Sequence, residues 1–597
     1  MSLLPIILVS AVLLSIAYLT YGRVLTRLLR LDPKVKTPAV ELRDDVDYVP
    51  IEPKFLMSQH FSAIAAAGPI VGPILAGVMF GWAPALIWIL VGSIFIGGVH
   101  DMTALTASIR HKARSIAEVV REHMSRRSYI LFLSFVWIAL VYIIVAFTDI
   151  TAGSFVGEQH IAPGITVTGT GIATSSLMYL ALPIIMGLLL RYTRLSLNWA
   201  TVIFLPLVGL AIWGGQKIPL DIAPAVTAVC SALGINDIGP HKAWDVLLLV
   251  YCLIAAVVPM WLLLQPRGHL GGYFLYIALG GGMIGLLIGA IFGGQTIAYP
   301  AFKGWQTPEG GTLFPLLFIT IACGACSGFH SMIASGTTSK QLRLETDARP
   351  IGYGAMLLEA MVAIVSLSCV MILAADAEVL KNPKPDWIYS RGIGTFLKTL
   401  GIPEALGVAF AVMAFTTFVY DTLDVCTRLG RYILQELTGL KGRAGSWIGT
   451  GLTAGVPLFF VLQNSVDAAG RPVPVWRTFW ALFGASNQLL AALTLLGVTV
   501  WLWRTRGAWW VWLVTGVPTV FMYTMSTWAL VSMTLPKFNV DGKWQAPTDP
   551  VPWIGLVLLA LAALMLVEAV RVIAAAGPRE PRQPLREVGG MQSAAGS

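Results

Sequence analysis

Seven ionisable residues sit inside stretches otherwise built from apolar side chains: His60, His100, Asp101, His330, Glu359, Asp421 and Asp424. At the centre of a membrane helix each such group costs about 3 kcal/mol on insertion scales, so a working role with a proton, an ion or a polar solute is the first reading. Histidine and carboxylate together can pass a proton near neutral pH. His60, His100, Asp101 and His330 are also residue types that ligate Zn²⁺, which would suit a membrane metalloenzyme. Their spacing forms no compact ligand motif, however, and no metal is expected. Asp424 precedes Arg428 by four residues, the spacing of a helix-end ion pair. For every one of these groups the plain alternative is a hydrogen-bonded polar residue that holds helices together.

The backbone offers a second kind of chemistry. SQHFSAIAAAGPIVGPILAG carries Gly68-Pro69 and Gly72-Pro73 four residues apart. Each proline removes a helical hydrogen bond and clashes one turn back, so Ala65 to Gly72 should be distorted. Unpaired backbone at membrane depth survives only where it lines a cavity or is buried in protein. Ala67, Gly68, Pro69, Gly72 and Pro73 are therefore expected at a substrate site, facing Pro259 of VYCLIAAVVPMWLLL. In CGACSGFHSMIASGTTSKQL, Ser327, Ser331 and Ser335 recur every four residues, followed by Thr337 and Thr338. That stripe suits either helix packing or a set of oxygens for a substrate or sodium ion. Cys323 and Cys326 form a CxxC inside an apolar helix, where packing is the expected role. Gly281, Gly285 and Gly289 mark a helix contact face, and Asn487 and Gln488 are amides that need partners. No P-loop, HExxH or nucleophile elbow occurs, so neither ATP hydrolysis nor any other catalysis is expected, and no catalytic residue is assigned.

These residues need membrane helices to position them. Of 597 residues 56% are hydrophobic and 12% charged, with a mean hydropathy of +0.76, which excludes a soluble globule. A net charge of +9 by itself suits a nucleic-acid binder, but the basic residues sit in short loops between apolar runs, so the bilayer is the expected partner. Fifteen apolar runs of roughly 20 residues can be placed, the first at 3 to 21 and the last at 552 to 570. With the amino terminus outside, inward loops hold 29 Lys and Arg, Arg267 among them, and outward loops 11. The bias follows the positive-inside rule and puts the carboxyl terminus in the cytoplasm. The first run, followed by Arg23, Arg27 and Arg30, reads as a retained anchor. Ser115 with Glu118 suggests a capping box, 427 to 440 an interfacial helix, and the tail from 577 a disordered segment.

The expected organisation is an anchor helix and cytoplasmic loop at 1–57, a first repeat at 58–217 holding spans 2 to 6, and an inverted second repeat at 243–424 holding spans 7 to 11. Peripheral spans fill 446–570 and a cytoplasmic tail 571–597. The blocks HFSAIAAAGPIVGPILAG (60 to 77), GGVHDMTALTASIRHKARSI (97 to 116), GACSGFHSMIASGTTSKQL (324 to 342), DTLDVCTRLGRYILQEL (421 to 437) and FGASNQLLAAL (483 to 493) resemble the carbon starvation protein A family. The resemblance implies an all-α polytopic inner-membrane protein with a LeuT-like core of inverted five-helix repeats. It also implies a secondary transporter of the amino-acid/polyamine/organocation superfamily, taking up peptides under carbon starvation or, as in some members, pyruvate with protons. The expected substrate is a short peptide with proton coupling, pyruvate being the alternative and sodium the other coupling ion. No cofactor and no nucleic-acid partner is expected, and the sequence sets no oligomeric state.

Overall fold

The computed structural model describes every residue except 1, 46–47, 66, 163–164, 235–237, 293–294, 308–309, 381–382, 441, 467–471, 541, 548 and 576–597. The expected disordered tail from 577 lies outside the described residues. The rest is overwhelmingly helical, with three short two-stranded hairpins. Among the described residues, twelve helices are long and apolar enough to cross a bilayer, or thirteen if Pro53–Ile64 and Gly68–Phe80, bent by 46°, form one span. Two more of the fifteen apolar runs take other forms. Leu313–Thr320 and Gly328–Gly336 are two short helices separated by non-helical backbone, and the run at 508 to 534 begins with a π turn, Trp512–Gly516, before Val517–Thr534.

Burial sorts the spans. The apolar window of Val475–Arg506 is 94% buried and that of Glu404–Thr438 83%, against 22% for Leu4–Leu29 and for Pro550–Ala575. The first two form the interior, and the last two present Leu, Val and Ile outward, as lipid-facing helices must.

Helix Pro53–Ile64 stops before Ala65 and the next helix begins at Gly68, so the interruption is shorter than the expected 65 to 72. Pro69 occupies the first turn of the new helix, where a missing N–H costs nothing, and Pro73 is absorbed inside it. The break does not face Pro259. A Cβ on Gly68 would lie 2.3 Å from Cys323 Sγ, and one on Gly72 2.4 Å from the Thr320 carbonyl oxygen. The first broken span therefore packs against the second, at its own break. Freed carbonyls there find side-chain donors. Gln488 Nε2 donates to Phe318 O (3.1 Å) and Trp88 Nε1 to Ile321 O (3.1 Å), while Asn487 Oδ1 accepts from Phe329 N (2.9 Å). The two amides thus restore hydrogen bonds that an interrupted helix loses in an apolar medium.

After each break comes a helix carrying a π turn. Ser93–Gly97 leads into Gly98–Arg110, and Arg349–Gly354 leads into Ala355–Met371. Glycine lets them close in: a Cβ on Gly97 would lie 2.3 Å from Ala325 O, and one on Gly98 2.5 Å from the Tyr353 ring.

Three local expectations are corrected. Ser115 makes no cap and donates instead to Glu436 Oε2 at 2.9 Å. Residues 427 to 440 form no separate surface helix: they continue the buried Glu404–Thr438 helix, which ends at Gly439 with φ +73°, a left-handed cap. Pro385–Lys398, whose Arg391 and Lys398 count from sequence among the 11 outward-loop basic residues, is a helix wedged into the bundle. A Cβ on Gly285 of the GxxxG face would lie 2.1 Å from Phe396 O.

Candidate functional site: two buried polar clusters

The first cluster lies between helices Pro53–Ile64, Leu264–Phe292 and Glu404–Thr438. Arg267, counted from sequence among the loop residues, is 2% exposed within the second of these helices. Its Nε lies 2.5 Å from Asp421 Oδ1 and its Nη1 2.6 Å from Asp424 Oδ2. Asp421 and Asp424, three apart on one helix face, straddle the guanidinium. Tyr251 donates to Asp424 Oδ2 at 2.9 Å, Ser62 Oγ donates to Asp421 Oδ2 at 3.0 Å, and the Tyr420 ring stacks 4.7 Å from the guanidinium. Arg267 Nη2, buried, has no hydrogen-bond partner among the described residues.

The expected Asp424–Arg428 ion pair is not formed. Arg428 reaches away to the carbonyls of Ala255 (2.7 Å) and Val258 (2.5 Å), closing the end of Pro240–Val257 beside Pro259. Helical spacing allowed the pair, but the end of a helix whose last carbonyls are buried is the better acceptor. Pro259 consequently belongs to the turn joining two spans. The cavity beside Arg267 is lined by Gln59, His60, Ser62, Thr337, Thr338, Asp421 and Asp424 among others. At about 20 Å³ it has room for roughly one water molecule.

The second cluster is fully enclosed. His100 Nδ1 lies 2.7 Å from Asp101 Oδ1, and His330 Nδ1 2.7 Å from Asp101 Oδ2. His330 Nε2 in turn lies 3.1 Å from Glu359 Oε2, and all four residues are 0% exposed. They come from three helices: the two that follow the π turns, Gly98–Arg110 with His100 and Asp101 and Ala355–Met371 with Glu359, and the one that follows the second break, Gly328–Gly336 with His330. With Asp101 ionised and accepting an N–H from each imidazole, Nε2 of His330 faces Glu359 with room for one further proton, on the ring or on the carboxyl. His60, from the helix before the first break, stands apart and pairs through Nδ1 with Thr338 Oγ1 at 2.8 Å.

Ala67, Gly68, Pro69, Gly72 and Pro73 are all buried at the contact between the two broken spans. Ser327 meets Asn487 Nδ2 at 3.0 Å, and Ser331 donates to Gly328 O and lies 3.0 Å from Thr494 Oγ1. Ser335 and Thr337 donate to the carbonyls four residues back. Beyond that helix a cavity of about 530 Å³ reaches Ser331 and Ser335, with Tyr48, Arg114, Lys340 and Glu436 on its walls.

Sequence reasoning missed Arg267, Tyr251 and His269, whose ring lies 2.7 Å from Thr201 Oγ1 and 3.2 Å from Ser58 Oγ. The signal for Arg267 was available in the pair Asp421 and Asp424: two acids on one apolar helix face require a cation opposite them.

The model of the family described as carbon starvation protein CstA matches residues 2–388 and 375–529. The peptide transporter CstA of Helicobacter pylori strain J99 is 32% identical over 601 residues, covering 89% of this chain and 82% of its own. The peptide transporter CstA of Escherichia coli K12 is 31% identical, covering 93% and 82%, and the pyruvate/proton symporter BtsT of the same organism is 31% identical, covering 89% and 81%. Among solved structures, the chain is similar to a manganese transporter of Eremococcus coleocola at a TM-score of 0.43 and 15% identity, covering 89% of this chain and 99% of that one. MhsT in complex with L-phenylalanine is matched at a TM-score of 0.43 and 12% identity, covering 88% and 99%. Both likenesses are too slight to argue from. The sequence relationship is not, and with matches running from residue 2 to 529 this chain belongs to the carbon starvation protein CstA family.

Proposed function

We propose that the chain is a secondary transporter of the inner membrane that imports short peptides together with protons. The observation that carries this reading is Arg267, held between two aspartates with Nη2 unpartnered beside the cavity. A guanidinium is the residue best matched to a carboxylate, and with both aspartates ionised the cluster keeps one net negative charge for an ammonium. A zwitterionic peptide satisfies both, whereas pyruvate uses only the guanidinium; the names of the relatives allow either. The cavity is far smaller than a dipeptide, so binding requires the surrounding helices to part, and the 530 Å³ cavity is the proposed inner mouth.

Proton coupling is supported by the four-membered histidine–carboxylate cluster. Sodium is the alternative: the hydroxyls of Ser331, Ser335 and Thr337 donate to local carbonyls and keep their oxygen lone pairs for a cation. The element order favours an inverted repeat of 53–215 and 313–506 over the expected 58–217 and 243–424. Each begins with a broken span, continues with a π-turn helix and a short helix, and reaches a long buried helix, Arg126–Ser154 or Glu404–Thr438. Fifteen crossings with the amino terminus outside remain the topology that fits the basic bias. Counterflow in proteoliposomes tests the substrate. Exchange of labelled dipeptide, blocked by unlabelled dipeptide and not by pyruvate, is expected; exchange of pyruvate alone selects the alternative.

A further inference from the structure

Away from both clusters, Asp149 near the end of Arg126–Ser154 meets His241 and Asp245 on Pro240–Val257. From sequence these acids look interfacial, yet Asp149 is 3% and Asp245 0% exposed. We infer that Asp149, His241 and Asp245 form a binding site for a divalent transition-metal ion of the zinc class.

His241 and Asp245 are four residues apart and so share one helix face. His241 Nε2 lies 3.1 Å from Asp149 Oδ1, and one donor atom from each of the three residues falls within 4.8 Å of the others. Ligands on a tetrahedral zinc, with bonds near 2.0 Å, stand about 3.3 Å apart, so a modest closing of Asp245 completes three positions and water the fourth. Asp149 is already aimed: its Oδ2 accepts the backbone N–H of Trp476 at 2.8 Å, which leaves Oδ1 for an ion.

The independent pointer to a cation is Asp245. Neither of its carboxylate oxygens has a hydrogen-bond partner among the described residues, although both are buried. A buried carboxylate without partners is strongly unfavourable unless it is neutralised. The neighbouring Lys242 does not do so, since its ammonium donates to Leu462 O (2.9 Å) and Asn464 Oδ1 (2.7 Å). Imidazole with two carboxylates favours zinc, manganese or iron over sodium or calcium, which prefer all-oxygen sites. The His241 side chain, 36% exposed, supplies the way in.

A second group of metal-ligating side chains, His111, Glu122 and His123, must be silenced in the test. Full-length protein carrying His111→Ala and His123→Ala, stripped with chelator and placed in nanodiscs, is titrated with ZnCl₂ by calorimetry and by melting temperature. One equivalent should bind and raise the melting temperature, with sodium and calcium at the same concentration giving no shift. Asp245→Asn in that background should weaken zinc binding at least 100-fold. Without zinc it should melt no lower than its parent, because the substitution removes an orphaned charge and keeps the side chain's shape. His241→Ala should abolish the zinc shift as well. Absence of zinc binding in the parent, undiminished binding in Asp245→Asn, or an equal shift with calcium would overturn the assignment, leaving a His241–Asp149 hydrogen bond beside a protonated Asp245.

Discussion

The two polar clusters contain carboxylates in equal number and differ in what stands against them. Asp421 and Asp424 are opposed by Arg267, a charge that no physiological pH removes. Asp101 and Glu359 are opposed by His100 and His330, whose charge is conditional. A permanent cation can hold a solute carboxylate through a cycle but cannot release a proton. An imidazole between two carboxyl groups can do the reverse. Under the proposed function, the contrast gives solute binding to the first cluster and proton transfer to the second.

The largest effect should come from removing the permanent charge. Arg267→Gln leaves two buried aspartates unopposed, so a loss of about 3 to 5 kcal/mol in stability is expected, and both driven uptake and counterflow should disappear. Arg267→Lys keeps the charge without the two-pronged geometry and should lose at least tenfold in counterflow. Near-normal exchange in either variant would remove Arg267 from the binding site.

Next in size is the effect on coupling. Asp101→Asn and Glu359→Gln, made separately, should each cut pH-gradient-driven uptake about tenfold or more while leaving counterflow within about threefold. Equal losses in the two assays would erase the distinction between the clusters.

A smaller effect tests the scaffold common to both. Asn487→Ala removes the acceptor of the Phe329 N–H, leaving a buried donor unpaired at about 1 to 3 kcal/mol. Because the helix it supports carries His330, a lower melting temperature should accompany parallel losses in both transport assays.

The seven intramembrane ionisable residues are legible in the sequence because one polar letter in an apolar run is conspicuous. The doubled Gly-Pro likewise marks the first break. The second break is not legible: CGACSG is small and apolar, and hydropathy sums side chains without asking whether the backbone is hydrogen-bonded. Arg267 was concealed by its setting in QPRGH, which reads as a turn, whereas the true turn lies a few residues earlier at Pro259. Pro385–Lys398 was concealed in the same way, its Asp, Arg and Lys suggesting a loop while its glycines carry the packing.

The smallest expected effect lies outside the membrane and serves as a control. Burial holds the His111 imidazole below its ordinary pKa, so the folded state resists its protonation. Its contribution to stability is complete above about pH 6.5 and is lost as pH falls further. His111→Gln should flatten the acid side of the melting-temperature profile by a degree or two without altering coupling. A changed response to the pH gradient would enlarge the titratable machinery beyond the buried cluster.

The division of labour is tested most directly by counting protons. Proteoliposomes holding a pH-sensitive dye report proton entry while labelled dipeptide entry is measured in the same sample, for the unaltered chain and for Asp101→Asn. A fixed proton-to-solute ratio is expected in the former, and solute exchange without proton entry in the latter. An unchanged ratio in Asp101→Asn, or solute accumulation by the unaltered chain driven by sodium with no proton movement, would contradict the account.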